Sequence, residues 1–327
     1  MSRVTENAER LISDLSEGEL LARILPHFGR AETQVVGPGD DAAVLSPRGE
    51  IVATSDLMVE GPDFRRVWHS GFELGWKAAA TNLSDVAAMG ARPSALTVSL
   101  AMPANLAVSY VTEIARGLDA ACATLAPGCA VVGGDLSRST VLTLAVTALG
   151  DLEGRAPVLR SGARVGDVVA VAGTLGEAAA GLRLLFERCV DALGNATADG
   201  LADLWMASPE LLAAQLSPSP PVPLGVVASV AGASAMMDIS DSLSLDASRI
   251  AAASGVALNL YAGKLGAYPE DALTGGEDHA LLATFAKREV PPGFRVIGEV
   301  LPPLRGVAVY LDGVPFAPRG WDPIMHP

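Results

Sequence analysis

Six short acidic motifs punctuate the chain: Gly39-Asp40-Asp41, Thr54-Ser55-Asp56, Asn82-Leu83-Ser84-Asp85, Gly133-Gly134-Asp135, Asp238-Ile239-Ser240-Asp241 and Gly275-Gly276-Glu277-Asp278. Each sets a carboxylate beside small or hydroxyl-bearing residues. Hard cations such as Mg2+ take carboxylate and hydroxyl oxygens and leave further positions to water and substrate phosphate. Small neighbours let the backbone and a bulky polyanion approach closely. Any one motif reads equally well as a turn or a helix cap. Asp238 and Asp241, for example, could simply open a helix carrying Leu243, Leu245 and Ile250. Six in one chain point instead to a cation-assisted phosphate site.

Other chemistries lack their residues. Gly37-Pro38-Gly39-Asp40-Asp41-Ala42 has the spacing of a dinucleotide loop, but Pro38 removes a backbone donor and two carboxylates would face the pyrophosphate. Gly263-Lys264 lacks the upstream glycine and following hydroxyl of a P-loop. No HExxH, GxSxG or protein-kinase HRD/DFG set occurs. Cys122, Cys129 and Cys189 have no CxxC spacing and read as buried thiols of a reducing compartment. His27, His69, His279 and His326 stand apart from one another and read as surface or core residues, His279 being set beside the Gly-Gly-Glu-Asp turn.

The charge balance sharpens this. Against 37 Asp+Glu stand 23 Lys+Arg, a net charge of −14, which argues against nonspecific nucleic-acid or anionic-membrane binding. The only lysines are Lys77, Lys264 and Lys287, so phosphate would have to be neutralised by arginine or by metal. Half the residues are apolar and 18% charged, which excludes a disordered chain. Met1 to Glu6 lead into polar sequence with no apolar signal core, and the longest uncharged stretch, 211–237, is broken by Pro218, Pro220, Pro221 and Pro223. A soluble cytoplasmic protein is expected.

Hydrophobic periodicity and punctuation supply the elements that must position these residues. Ser16 and Glu19 form a capping box ahead of a helix. Helices are expected over 71–89 and 106–125, and strands over 42–45, 51–55, 95–101, 130–132 and 141–149. A glycine- and proline-containing boundary at 152–162 precedes a second series. There, strands are expected at 168–172, 235–239 and 280–285, and helices at 176–188, 224–231 and 243–253. This reading divides the chain into units 1–150 and 151–327 and puts every acidic motif where an element meets a turn.

The order and spacing of GDD, TSD, NLSDVAAMGA, VGGD, LRSGARVGD, MDISDS and GGED, spread over residues 16–321, resemble the thiamine-monophosphate kinases. These belong to the aminoimidazole-ribonucleotide synthetase superfamily, which binds ATP without a P-loop. The resemblance implies a two-domain α/β (α+β) fold whose N-terminal domain forms a β-barrel across a homodimer. ATP would lie near that interface, with the C-terminal domain closing over it. The implied reaction transfers the ATP γ-phosphoryl group in line to thiamine monophosphate. By the same resemblance, several Mg2+ ions are held by Asp41, Thr54, Ser55, Asp56, Asp85, Asp135, Asp238 and Asp241. Nucleotide contacts fall on Tyr110, Gly134, Asp135, Arg160 and Ser240, and catalysis on Asp85, Asp135, Arg160 and Asp241. Glu277 faces the thiamine phosphate, with Asp63 and Trp321 as further substrate contacts.

Four positions depart from the family pattern. Asp63 stands in place of a histidine, Ser242 where a glycine would ease the turn, His279 in place of a common tyrosine, and 320–324 lacks the frequent final aromatic. Two other readings use the same residues: a relative with a different small acceptor, and a nucleotide- or thiamine-phosphate-binding module without turnover.

Overall fold

The structure is a computed structural model that describes residues 9–303 and 306–321. The sequence readings at Met1–Glu6, at Asp322–Ile324 and at His326 lie outside the described residues.

The first part of the chain runs α1 (Glu17–Ile24), β1 (Gln34–Val36), β2 (Val44–Leu45), β3 (Ile51–Val59), α2 (Gly71–Ala88), β4 (Arg92–Met102), α3 (Val108–Leu125), β5 (Val131–Arg138) and β6 (Thr143–Asp151). Strands β3, β6, β4 and β5 form a sheet in that order, antiparallel except for the parallel β4–β5 pair. The sheet is open, with β3 and β5 as its edges. The expected capping box opens α1, where Ser16 pairs with Glu19, and a second one that was not read from the sequence opens α2, where Ser70 pairs with Glu73; each pair satisfies two end donors.

Helix α2 is buried on nearly every side, because the sheet, α3 and the second half of the chain all pack against it. Its approach to α3 is so close that a Cβ on Gly75 would fall 2.1 Å from the Ile114 carbonyl oxygen. Leu74, Leu83 and Val86 are fully buried, each contributing about 1.5–3 kcal/mol.

The second part runs β7 (Val168–Ala172), α4 (Glu177–Arg188), α5 (Leu201–Ala207), α6 (Pro209–Leu216), α7 (Pro223–Val230), β8 (Ala235–Asp238), α8 (Leu243–Ser254), β9 (Ala257–Leu260), α9 (Pro269–Thr274), β10 (Leu281–Phe285), β11 (Arg295–Leu301), β12 (Val309–Leu311) and β13 (Val314–Phe316). Seven strands form a sheet in the order β13-β12-β9-β11-β7-β10-β8. Strand β7 shows why its sequence, Val-Val-Ala-Val-Ala, does not alternate in polarity: both faces are covered. Val168, Ala170 and Ala172 face a core shared with α2, while Val169 and Val171 face a second core with Ile250 of α8.

Three expectations are corrected. The Gly133-Gly134-Asp135 motif does not sit at a turn; β5 continues through it to Arg138, since Gly134 is needed where a Cβ would lie 1.9 Å from the Val98 carbonyl oxygen. The Thr54-Ser55-Asp56 and Asn82-to-Asp85 motifs likewise lie inside β3 and α2, not at their ends. The barrel expected across a homodimer is not closed within one chain, whose N-terminal strands form an open sheet.

Candidate active site

The site lies where β3 and α2 meet the end of β8. Residues alternate along β3, so Thr54 and Asp56 share the face turned toward α2, while Ser55 points to the opposite, exposed face with Ile51 and Leu57. On α2, Lys77, Thr81 and Ser84 follow the helical i, i+4, i+7 spacing, with Asp85 one residue on. Asn82 Oδ1 accepts the Asp56 N–H at 3.2 Å, and the Thr54 hydroxyl donates to Asp85 at 2.8 Å. Ser84 Oγ donates to Asp238 Oδ2 at 3.0 Å, which ties α2 to β8 across 154 residues of sequence.

Asp56, Asp85 and Asp238 therefore converge. Burial disfavours the charged form of Asp85, and the Asp238 and Asp56 carboxylates add to that; its pKa is pushed up to about 7. Burial raises Asp56 as well, with Asp238 reinforcing the shift and His279 opposing it. His279 is buried, with Nδ1 3.3 Å from Asp238 Oδ2. Burial alone would lower the imidazole's pKa, but Asp238 and then Glu277 outweigh it and the pKa rises.

A second group adjoins the first. Lys77, 1% exposed, places Nζ 2.7 Å from Glu277 and 3.0 Å from the Gln215 carbonyl oxygen. Gln215 also donates its side-chain amide to Glu277. Burial opposes ionisation of Glu277, yet Lys77 and Gln215 hold its carboxyl below the ordinary range. Both Glu277 (φ +67°) and His279 (φ +49°) adopt the left-handed backbone region, a strained arrangement for non-glycine residues that aims the two side chains into the site.

The Asp238-to-Ser242 loop has its own support. One Asp246 carboxylate oxygen accepts the N–H groups of Ser240, Asp241 and Ser242 at 3.1, 3.2 and 3.3 Å. Arg249 pairs with Asp241 at 2.6 Å and also with Asp246. Ser242, with φ 161°, is extended and needs no glycine freedom. Its hydroxyl caps α8 by accepting the Leu245 N–H at 3.1 Å and donates to the Arg319 carbonyl oxygen at 2.7 Å. The expected restriction of this turn is absent for that reason.

The remaining residues singled out in the sequence fall elsewhere. Asp41 and Asp135, with Gly134, line a largely apolar cavity of about 760 Å³ between α1, α3 and β5. Tyr110 on α3 donates its hydroxyl to the His69 carbonyl oxygen at 3.1 Å. Asp63 turns into its own loop and accepts the Val59 N–H at 2.7 Å. Arg160 is exposed in the segment between the sheets. Trp321 donates its backbone N–H to the Asp241 carbonyl oxygen at 3.0 Å. Sequence reasoning missed Lys77, Asn82, Gln215 and Asp246 as site residues. The signal for Lys77 was present: a lone cation in an otherwise apolar helix, on the face that carries Ser84.

The donor set of Asp56, Asp85, Asp238, Thr54 and Ser84 is all hard oxygen, and among the described residues its three carboxylates have one cationic neighbour, His279 beside Asp238, which fits Mg2+. Among the described residues, no group of three His, Cys, Asp or Glu side chains stands placed to hold a metal ion. Mg2+ commonly takes only one or two carboxylates and fills the rest of its shell with water and substrate phosphate oxygens.

Residues 39–152 match the family described as AIR synthase related protein, N-terminal domain. Thiamine-monophosphate kinase of Mycobacterium tuberculosis is 38% identical over 97% of this chain and 94% of its own length. The crystal structure of thiamine-monophosphate kinase from Stenotrophomonas maltophilia K279a superposes with a TM-score of 0.74 at 33% identity, covering 91% of this chain and 96% of that one. The structure of AaThiL complexed with AMPPCP and TMP superposes with a TM-score of 0.72 at 33% identity, covering 97% and 99%. The chain belongs to the thiamine-monophosphate kinase family.

Proposed function

We propose that the protein transfers the γ-phosphoryl group of ATP to thiamine monophosphate, yielding ADP and thiamine diphosphate. The observation that carries this reading is the convergence of Asp56, Asp85 and Asp238, whose charges repel one another between two halves of a fold shared with AaThiL bound to AMPPCP and TMP. A phosphate monoester is mostly dianionic at pH 7, with a second pKa near about 6, so its oxygen needs no general base to attack. An O–P bond forms to the γ-phosphorus as the β,γ-bridging bond breaks, and ADP leaves.

The obstacle is charge. At 4 Å and an effective dielectric constant of about 20, each like-charge pair costs roughly 4 kcal/mol. Bound Mg2+ would offset that repulsion, and Asp56, Asp85 and Asp238 with Thr54 and Ser84 are the residues that would hold it. Asp41 and Asp135 at the larger cavity would serve a further ion beside the nucleotide phosphates, with Gly134 giving the backbone room. His279 orients the Asp238 carboxylate. Asp246 fixes the Ser240–Ser242 backbone through three N–H groups. Tyr110, Arg160 and Ser240 are assigned to the nucleotide, and Glu277 and Trp321 to the acceptor, while Asp63 is engaged by the Val59 N–H of its own loop.

We further read residues 1–150 and 151–327 as two domains and the protein as a homodimer. The open sheet supports the second point: Ile51 (46% exposed) and Leu57 (60% exposed) present apolar side chains on its outer face, which edge pairing of two copies into a barrel would cover. No helix among the described residues is long and apolar enough to cross a membrane, and the three cysteines are buried and unpaired, as in a reducing cytoplasm.

Phosphorus NMR of protein, ATP, Mg2+ and thiamine monophosphate tests the reaction. Stoichiometric ADP and thiamine diphosphate are expected. ADP without a new diphosphate would give the site another acceptor, and binding without ADP would make it a binding module.

A further inference from the structure

Near the Lys77–Glu277 pair, Arg65 packs against two rings: its guanidinium carbon is 5.3 Å from the centroid of Trp68 and 4.8 Å from that of Phe186. The platform is rigid. Trp68 is 2% exposed and donates its indole N–H to the Cys189 and Thr197 carbonyl oxygens at 3.2 and 3.1 Å. Phe186 meets it edge-on at 5.1 Å. Contact with the two rings engages the guanidinium's charge without using its N–H donors, which stay available for phosphate.

Every nearby acid is already committed. Glu60 is taken by Arg66 at 3.1 Å, Glu277 by Lys77 at 2.7 Å, and Asp63 by the Val59 N–H at 2.7 Å. Among the described residues Arg65 therefore has no carboxylate partner, in a chain with 37 acids and 23 bases. Burial lowers its pKa and Glu277 acts the other way, which places the guanidinium within electrostatic reach of the strained loop at the site. Arg65 and Arg66 also line a recess of about 450 Å³ with Glu60, Gly61, Val67 and Ala196, so the cation is open to a ligand.

Resting on the kinase reading above, we propose that Arg65 binds the phosphate of the acceptor and so selects a phosphate monoester over the corresponding free alcohol. Asp63, turned into its own loop, leaves the contact to the residue two positions on.

Calorimetric titration of wild type and Arg65→Gln with thiamine monophosphate, with thiamine and with a non-hydrolysable ATP analogue, all with Mg2+, separates the possibilities. The expected result for Arg65→Gln is about 10- to 100-fold weaker binding of thiamine monophosphate, with thiamine and the ATP analogue within about twofold. Arg65→Lys keeps the charge but loses the fork and the stacking, and is expected to fall between. Unchanged thiamine monophosphate binding in Arg65→Gln, or equal weakening of thiamine and its phosphate, overturns the assignment. So does an effect of Arg65→Lys on thermal stability with no effect on the titrations, since Arg65 would then only clamp Trp68 to Phe186. Wild-type ADP release is measured separately: its absence removes the kinase reading, while a phosphate-selective Arg65 effect would still stand.

Discussion

Glu277 and Asp85 are both carboxylates set between the two halves of the fold, yet Glu277 keeps its charge easily and Asp85 does not. Glu277 has Lys77 at 2.7 Å and the Gln215 amide; Asp85 has only the Thr54 hydroxyl, and two further carboxylates act against it. The fold buries a lysine against Glu277 and sets no cation directly against Asp85 among the described residues. On the function proposed above, with only three lysines in the chain and His279 alone beside Asp238, this is a division of labour between fixed and exchangeable cations.

The strongest way to break this contrast is Asp85→Asn. Turnover should fall about 1,000-fold or more, because electrostatic positioning of the transferring phosphoryl group is lost. Stability without divalent ions should not fall, and at pH 8 the melting temperature should rise, since a repelled charge is gone. Asp135→Asn should abolish turnover similarly but leave the melting temperature unchanged, because Asp135 is exposed. A normal rate in either variant, or a destabilised Asp85→Asn, would contradict the reading of these acids as a cation site.

Lys77→Met tests the other side. Removing one partner of a buried pair costs about 3–5 kcal/mol; Glu277 is a third exposed, which reduces the expected loss to about 2–3 kcal/mol. The double variant Lys77→Met/Glu277→Gln should recover most of it. Chemical denaturation of the two variants reads this directly, and equal instability of both would mean that Lys77 acts through packing and not through charge.

The two sides were not equally legible in the sequence. Asp56, Asp85, Asp135, Asp238 and Glu277 could be singled out because six such motifs recur in one chain in an order that resembles one family, although no single motif is distinctive. What the motifs could not show is which of them meet. Asp85 and Asp238 are joined by Ser84 over a distance in sequence that no local pattern spans, and Asp41 and Asp135 line a different cavity. Helices α2, α3, α4, α7 and α8 and most of the first sheet were readable from period and punctuation. Strands β9, β11, β12 and β13 and helices α5, α6 and α9 were not, being short and set in mixed sequence. Strand β5 was cut short because its glycines read as a turn, when they answer the close approach of Val98. Lys77, Gln215 and Asp246 gain their roles only from partners far along the chain or across a tight loop.

The finest test of the contrast is that acid should act on the two sides with opposite sign. Asp85, at about 7 when folded and near 3.8 when unfolded, binds more proton in the folded state; its contribution to stability is full below pH 3.8 and lost as pH rises through about 7. His69 does the reverse. It is buried, its Nε2 has no partner, and burial followed by Lys77 pushes its pKa from 6.5 down to about 3. Its contribution is full above pH 6.5 and is lost as pH falls toward about 3. Each group can tilt stability by at most about 1.4 kcal/mol per pH unit. Denaturant unfolding of wild type, His69→Gln and Asp85→Asn between pH 4.5 and 8, all without divalent ions, isolates the two terms by subtraction. His69→Gln should flatten the acid-side loss of stability, and Asp85→Asn should flatten a gain. If both differences had the same sign, the neutralised and the unneutralised side would be one electrostatic unit, and the division between fixed and exchangeable cations would not hold.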